Sequence, residues 1–202
     1  MPDMHRLLAP ADYRRMPWKN GGGATLEIAT HPVNADLASF AWRVSIADVT
    51  RDGPFSTFPG VDRTLVLLAG NGMRLSGAGD PIDLHARFEP VKFTGEAALD
   101  CALTDGPTRD FNLMVRRALA SGEVVVVRDE GRALAPSATY VCHAAEGACE
   151  CLLAGFPPIE LAHQHTLVVH AEVAAGLHVY PTSAHSVALV AAIGDPAQGR
   201  AQ

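Results

Sequence analysis

Lysine is nearly missing from this chain: only Lys19 and Lys92 occur, and the rest of its sixteen basic residues are arginine. Twenty-two acidic residues outnumber them, for a formal net charge of -6. No basic stripe is present that would release counterions from phosphates, so nucleic acid is not an expected partner. No apolar run approaches the roughly 18 residues of a membrane-spanning helix, which removes a membrane partner as well. The opening Met-Pro-Asp-Met-His-Arg has no apolar stretch behind its charges. A signal peptide is therefore not expected, and the chain reads as cytoplasmic. In that compartment its four cysteines, Cys101, Cys142, Cys149 and Cys151, are expected as reduced thiols. Nucleophile signatures are missing too: there is no Gly-x-Ser-x-Gly, and no cysteine stands in an activating setting. Helix signals are confined to short pieces at Ala9–Arg14 and Asn34–Ser39, and no repeat of fixed period is visible.

What is present is strand and turn. Hydrophobic residues make up 48% of the 202, and 18 glycines and 14 prolines are dispersed as punctuation. Alternating segments run at Thr25–Ala29, Phe40–Val49, Thr64–Ala69, Met73–Ser76, Phe88–Phe93, Ala97–Leu103 and Phe111–Arg116. More follow at Gly122–Val127, Ala138–His143, Glu150–Leu153, Thr166–His170, Gly176–Tyr180 and Ser186–Ala192. About a dozen short strands separated by clusters such as Asp52-Gly53-Pro54 and Gly70-Asn71-Gly72 predict an all-β antiparallel barrel or sandwich. Polar motifs crowd residues 1–117, whereas 118–202 are dominated by Ala, Val and Leu. Two halves are expected at that boundary, with exchange of strands between them left open.

The richest segment is Trp18-Lys19-Asn20-Gly21-Gly22-Gly23, leading into Thr25 and Glu27. Consecutive glycines allow tight backbone and close approach to a ligand, and free amides beside Lys19 would make an anion nest. A flexible turn before a strand is the competing reading. Period-two alternation puts Thr25 with Glu27, Arg43 with Ser45, and Asn112 with Met114 and Arg116 on the polar faces of their strands. Either these faces meet water or they converge inside a barrel mouth. In the second case a buried arginine needs a carboxylate partner, which Glu27 supplies, and another arginine is free for a bidentate hold on a ligand. Arg63 enters the next strand as a further anion ligand, or as a surface ion-pair partner of Asp62 or Asp110. Phe55 and Phe58, in the long connection before it, read as packing residues. A carboxylate among arginines also suits a general base, so an isomerase or hydrolase built on Glu27 stays open beside a binding protein and an interaction module.

Metal signals are incomplete. Cys142-His143 with Cys149-Glu150-Cys151 offers soft ligands but no paired Cys-x-x-Cys, and His163-Gln164-His165 with His170 lacks a suitably spaced glutamate. No metal or other cofactor is expected.

Several ordered motifs carry a resemblance to the HutD/Ves family. They are Trp18-Lys19-Asn20-Gly21-Gly22-Gly23, Trp42-Arg43-Val44-Ser45-Ile46-Ala47, Asp52-Gly53-Pro54-Phe55-Ser56, Phe58-Pro59-Gly60-Val61-Asp62-Arg63 and Asp110-Phe111-Asn112-Leu113-Met114-Val115-Arg116-Arg117. The resemblance covers residues 10–117 and implies a bicupin, two β-barrels made by one chain. Many cupins bind metal through a Gly…His-x-His…Glu pattern, which the motif-rich half of this sequence lacks. The resemblance therefore implies a metal-free pocket and a regulatory or accessory role in histidine utilisation. Its ligand would be a small carboxylate metabolite such as urocanate or N-formylglutamate. Arg43, Arg63 and Arg116 are then the expected anion contacts, with Lys19, Asn20, Gly21 and Gly22 at the rim. Thr25, Glu27, Ser45 and Asn112 would orient these groups or read the ligand's polar end, and Trp18 would cover its ring. Cupins often pair through strands, which leaves a homodimer open.

Overall fold

The computed structural model describes residues 5–77, 79–170 and 176–196, and strands run through most of them. In the first part of the chain these are β1 (His5–Leu8), β2 (Arg14–Pro17), β3 (Gly23–His31), β4 (Trp42–Val49), β5 (Gly53–Phe55), β6 (Val61–Ala69), β7 (Met73–Gly77), β8 (Ile82–Leu84), β9 (Pro90–Thr94), β10 (Leu99–Leu103) and β11 (Thr108–Arg116). There follow β12 (Ser121–Arg128), β13 (Arg132–Ala133), β14 (Thr139–Glu146), β15 (Cys149–Leu152), β16 (Ile159–Leu161), β17 (Thr166–His170), β18 (His178–Pro181) and β19 (Val187–Gly194). The fold is all-β, a bicupin of antiparallel sheets. Ala9–Arg14, expected as a short helix, holds one 3-10 turn at Pro10–Asp12. Asn34–Ser39 forms turns instead of a helix. Asn34 takes φ +64°, and the Asp36 carboxylate accepts from the Ala38 amide and the Ser39 hydroxyl. No helix among the described residues is long and apolar enough to cross a membrane.

The chain divides into two units. One, Arg14–Ala120, stacks a six-stranded sheet (β2-β3-β4-β11-β6-β9) on a four-stranded one (β5-β10-β7-β8). Its core forms where Ala47, Val49 and Leu65 of the larger sheet meet Met73, Leu75, Leu84, Leu99 and Cys101 of the smaller. The other comprises the described residues of Met1–Tyr13 and Ser121–Gln202, with a five-stranded sheet (β1-β17-β14-β19-β12) and a four-stranded one (β13-β18-β15-β16). There β1 pairs with β17 from His5 opposite Val169 to Leu8 opposite Thr166. The first strand of the chain thus completes a sheet made otherwise from its last eighty residues or so. Tyr140, Cys142, Leu167, Val169, Leu177 and Val190 are among the side chains of that unit's core.

The short strands β1, β2, β5, β8, β13 and β16 lie outside the segments expected from alternation. Each is two to four residues long, too short for a period to show, and each is set by pairing with a longer neighbour. The long strands start or end within a few residues of the alternating segments, because there the apolar face that makes the pattern is the face that is buried.

Candidate functional site

β4 and β11 occupy the middle of the six-stranded sheet, with β3 and β6 on either side. Their ladders bring the polar residues of four strands into rows on one face. Met114 pairs with Arg43 on one side and Arg63 on the other. Asn112 stands between Ser45 and Leu65, and Asp110 between Ala47 and Leu67. Toward one end this face is the apolar core. Toward the other it lines a cavity of about 510 Å³, also bounded by Pro54 and Phe55 of the smaller sheet and by side chains of three connections.

Arg43 is 5% exposed, and its charge is met by a carboxylate as burial requires. Its Nε donates to Glu27 Oε2 at 2.8 Å and its Nη1 to Ser45 Oγ at 3.3 Å, leaving the buried Nη2 without a partner. The second oxygen of Glu27 faces the exposed Arg14 at 3.7 Å. Glu27 and Ser45 therefore act from behind Arg43 and are not part of the cavity wall.

Arg63 is also 5% exposed, but among the described residues no carboxylate forms an ion pair with it. Its guanidinium carbon lies 4.6 Å from the centre of the Phe55 ring, 5.2 Å from Phe93 and 5.6 Å from Phe58, so three π faces stabilise the cation. Nη1 reaches the Ser56 carbonyl at 3.4 Å, while Nε has no partner. Burial lowers the guanidinium to about 10; Asp110 acts to raise it and Arg43 to lower it. The group remains cationic at neutral pH.

Asp110 is wholly buried, and neither carboxylate oxygen has a hydrogen-bond partner. Burial pushes its carboxyl up to about 7, with Arg63 pulling it down and Asp48 pushing it further up. Asn112 Oδ1 is likewise buried and unpartnered.

The rim comes from the turn between β2 and β3. The Trp18 amide donates to the Gly23 carbonyl at 2.9 Å, the Gly21 amide to the Trp18 carbonyl at 3.0 Å, and the Gly22 amide to Asn20 Oδ1 at 2.9 Å. The indole Nε1 donates to Thr25 Oγ1 at 2.9 Å, which fixes the ring against the cavity. Gly23 has no room for a side chain, because a Cβ there would lie 2.2 Å from the Asp48 carbonyl oxygen of β4.

Of the residues expected at the site, Trp18, Lys19, Asn20, Thr25, Arg43, Arg63 and Asn112 come together on the cavity wall. Gly21 and Gly22 do not. Their amides are consumed inside the turn, so no open nest forms, and Lys19 and Asn20 are what the turn presents. Arg116 also stands off the wall. Its Nη2 donates to the Ala38 carbonyl at 2.9 Å, Nε to Phe40 at 3.2 Å and Nη1 to Pro59 at 3.5 Å. These contacts clamp two loops and leave it no role as an anion contact on the wall. Asp110, expected as a surface partner of Arg63, and Phe55 and Phe58, expected to pack, all line the cavity. Asp110 shares strand parity with Asn112, a signal by which it could have been found. Asp62, the other candidate partner of Arg63, pairs with Arg117.

The cysteine and histidine clusters lie in the other unit. Cys142, Cys149 and Cys151 are buried free thiols, with Cys142 and Cys151 sulfurs 3.7 Å apart. The hydrogen bond to Cys151 and burial both raise the Cys142 thiol, and burial pushes Cys149 up to about 12. His163 and His165 are outside that core, linked by a His165 Nδ1 contact to the His163 carbonyl. Among the described residues no three metal-donor side chains are grouped to hold an ion.

Two stacked sheets in each of two units, with a cavity in one of them that sets arginine and amide side chains among apolar ones, define a bicupin with a small-molecule-sized pocket. Comparison with known proteins gives the family: residues 10–187 match the HutD family model, and the chain belongs to the HutD family. It is 39% identical over 150 residues to an uncharacterized 21.2 kDa protein in the hutC 3' region of Pseudomonas putida, covering 74% of this chain and 78% of that one. It is 40% identical over 119 residues to protein Ves of Cronobacter sakazakii, covering 57% of this chain and 64% of that one. Among solved structures, HutD from Pseudomonas fluorescens, obtained in a formate condition, superposes with a TM-score of 0.80 at 28% identity. That match covers 95% of this chain and 98% of the other.

Proposed function

We propose that this protein binds a small carboxylate metabolite in the arginine-lined cavity and serves a regulatory or accessory role in histidine utilisation, with urocanate and N-formylglutamate as candidate ligands. The observation that carries this reading is the pair of buried arginines, Arg43 and Arg63, which line the same cavity and each keep a buried nitrogen without a partner. Unmet donors on buried cations cost free energy that an anion recovers through charge-assisted hydrogen bonds. The cavity volume of about 510 Å³ suits a small organic molecule. The family and the hutC-region relative support the pathway. Binding is favoured over catalysis by Glu27, because its Oε2 is already taken by Arg43 and it is not on the cavity wall.

The test is the melting temperature of chelator-treated protein with urocanate, N-formylglutamate, glutamate, histidine or formate. A ligand at about 100 times its Kd adds about 2.7 kcal/mol of stability. At least one of these carboxylates is expected to raise the transition, and Arg63→Ala to abolish the rise. No shift with any of them, or a shift that survives Arg63→Ala, would overturn the reading.

A further inference from the structure

The cavity contains more than groups for an anion. Beside the unpartnered Arg43 Nη2 and Arg63 Nε stand three unpartnered acceptors, both oxygens of Asp110 and Asn112 Oδ1. Among the described residues no ion pair joins Asp110 to either arginine, although they share one wall. They act on each other without contact, Asp110 raising the Arg63 guanidinium and Arg63 lowering the Asp110 carboxyl. Asp110 lies four residues along β11 from Met114, whose ladder neighbours are Arg43 and Arg63. At a strand rise of about 3.3 Å per residue, the two rows are rooted about 13 Å apart. Unmet donors are thus rooted toward one end of this wall, and unmet acceptors from its middle, at Asn112, to the other end, at Asp110.

A ligand that is only an anion satisfies the first and harms the second. It would leave the buried acceptors of Asp110 and Asn112 unmet, and would bring a second negative charge toward a buried carboxylate. A ligand that also carries an N–H group satisfies both ends at once. Resting on the carboxylate reading above, we propose that the pocket selects carboxylates bearing an N–H donor, with the carboxylate held by Arg43 and Arg63 and the N–H donated to Asp110 beside Asn112 Oδ1. Asp110 is then the specificity-determining residue, and simple carboxylic acids are poor ligands for this chain.

The test uses matched pairs that differ in the N–H alone, titrated calorimetrically into the intact protein. Urocanate is set against its oxazole analogue, in which oxygen replaces the ring N–H and the other ring nitrogen is kept. N-formylglutamate is set against its N-methyl derivative. For the pair that binds, the N–H member is expected to bind about tenfold to a hundredfold more tightly. Asp110→Ala should remove that preference. Asp110→Asn, which retains one acceptor oxygen, should keep part of it and serves where the alanine variant does not fold. Equal affinities within a pair that binds, or a preference that persists in Asp110→Ala, would overturn the proposal while leaving the carboxylate pocket standing. If no member of either pair binds and glutamate, histidine and formate raise no transition either, the carboxylate reading falls and this inference with it, whereas binding of formate in place of all the others overturns this inference alone.

Discussion

A carboxylic acid with no exposed surface and no hydrogen bond makes stability depend on pH, and Asp110 is such a group. Its carboxyl is pushed up to about 7 in the folded protein from an ordinary 3.8, chiefly by burial. Below about pH 4 both states hold the proton. As pH rises from there to about 7 the unfolded chain releases it and the folded one does not, so stability present in acid is progressively lost. Above that range the loss is complete, of order 4 kcal/mol at 1.36 kcal/mol per unit. Ligand-free Asp110→Asn is therefore expected to melt above the wild type at about pH 8, with the advantage shrinking toward about pH 4. Melting curves across that range decide it. A difference independent of pH would mean that Asp110 ionises normally in the folded state.

Elements place the site by what they forbid as much as by what they contribute. β3 can lie against β4 at Gly23 only without a side chain, since a Cβ there meets the Asp48 carbonyl at 2.2 Å and the Trp18 ring at 3.2 Å. Gly23→Ala should cost about 1–3 kcal/mol in denaturant unfolding and weaken ligand binding by displacing Trp18. A cost below a few tenths of a kcal/mol would show that the strand shifts freely. The loop at 32–40 is positioned differently. Arg116 holds the Ala38 and Phe40 carbonyls on one side and Pro59 on the other, and the first of these loops carries the half-exposed Leu37 to the cavity. Arg116→Ala is expected to lower stability by about 1–2 kcal/mol and to speed ligand dissociation more than it slows association. Stopped-flow rates separate this from direct anion contact, where charge loss would fall on association.

At the scale of the whole molecule, every residue lining the cavity belongs to the unit Arg14–Ala120. Hydrogen exchange with saturating ligand should accordingly show new protection within 14–120, strongest in β3, β4, β6 and β11, which surround the arginines. New protection found only within 121–196 would place the binding site elsewhere. The cavity wall presents arginine, lysine and amide donors and no histidine. A chelator should therefore leave the ligand-induced rise in melting temperature unchanged, whereas its loss on chelation, restored by zinc or iron, would count against the arginine site.

By itself the sequence determined the all-β class, most of the longer strands and the family, because alternation over five or more residues records which face is buried. It also brought forward seven of the wall residues, since strand parity sorts Arg43, Asn112 and Thr25 onto polar faces whatever lies beyond them. Parity says nothing about what such a face meets. Only the tertiary structure decided that Arg43 and Arg63 look into a cavity, while Arg116, of the same parity on β11, turns its guanidinium to loop carbonyls at the strand end. It decided too that the glycine turn closes on its own amides, an outcome set by hydrogen bonds from Trp18 and Asn20 that spacing does not encode. Asp110 shows the limit most clearly. An aspartate next to an arginine in sequence space reads as a surface ion pair, and its burial without a partner depends on two ladders and a second sheet meeting around it.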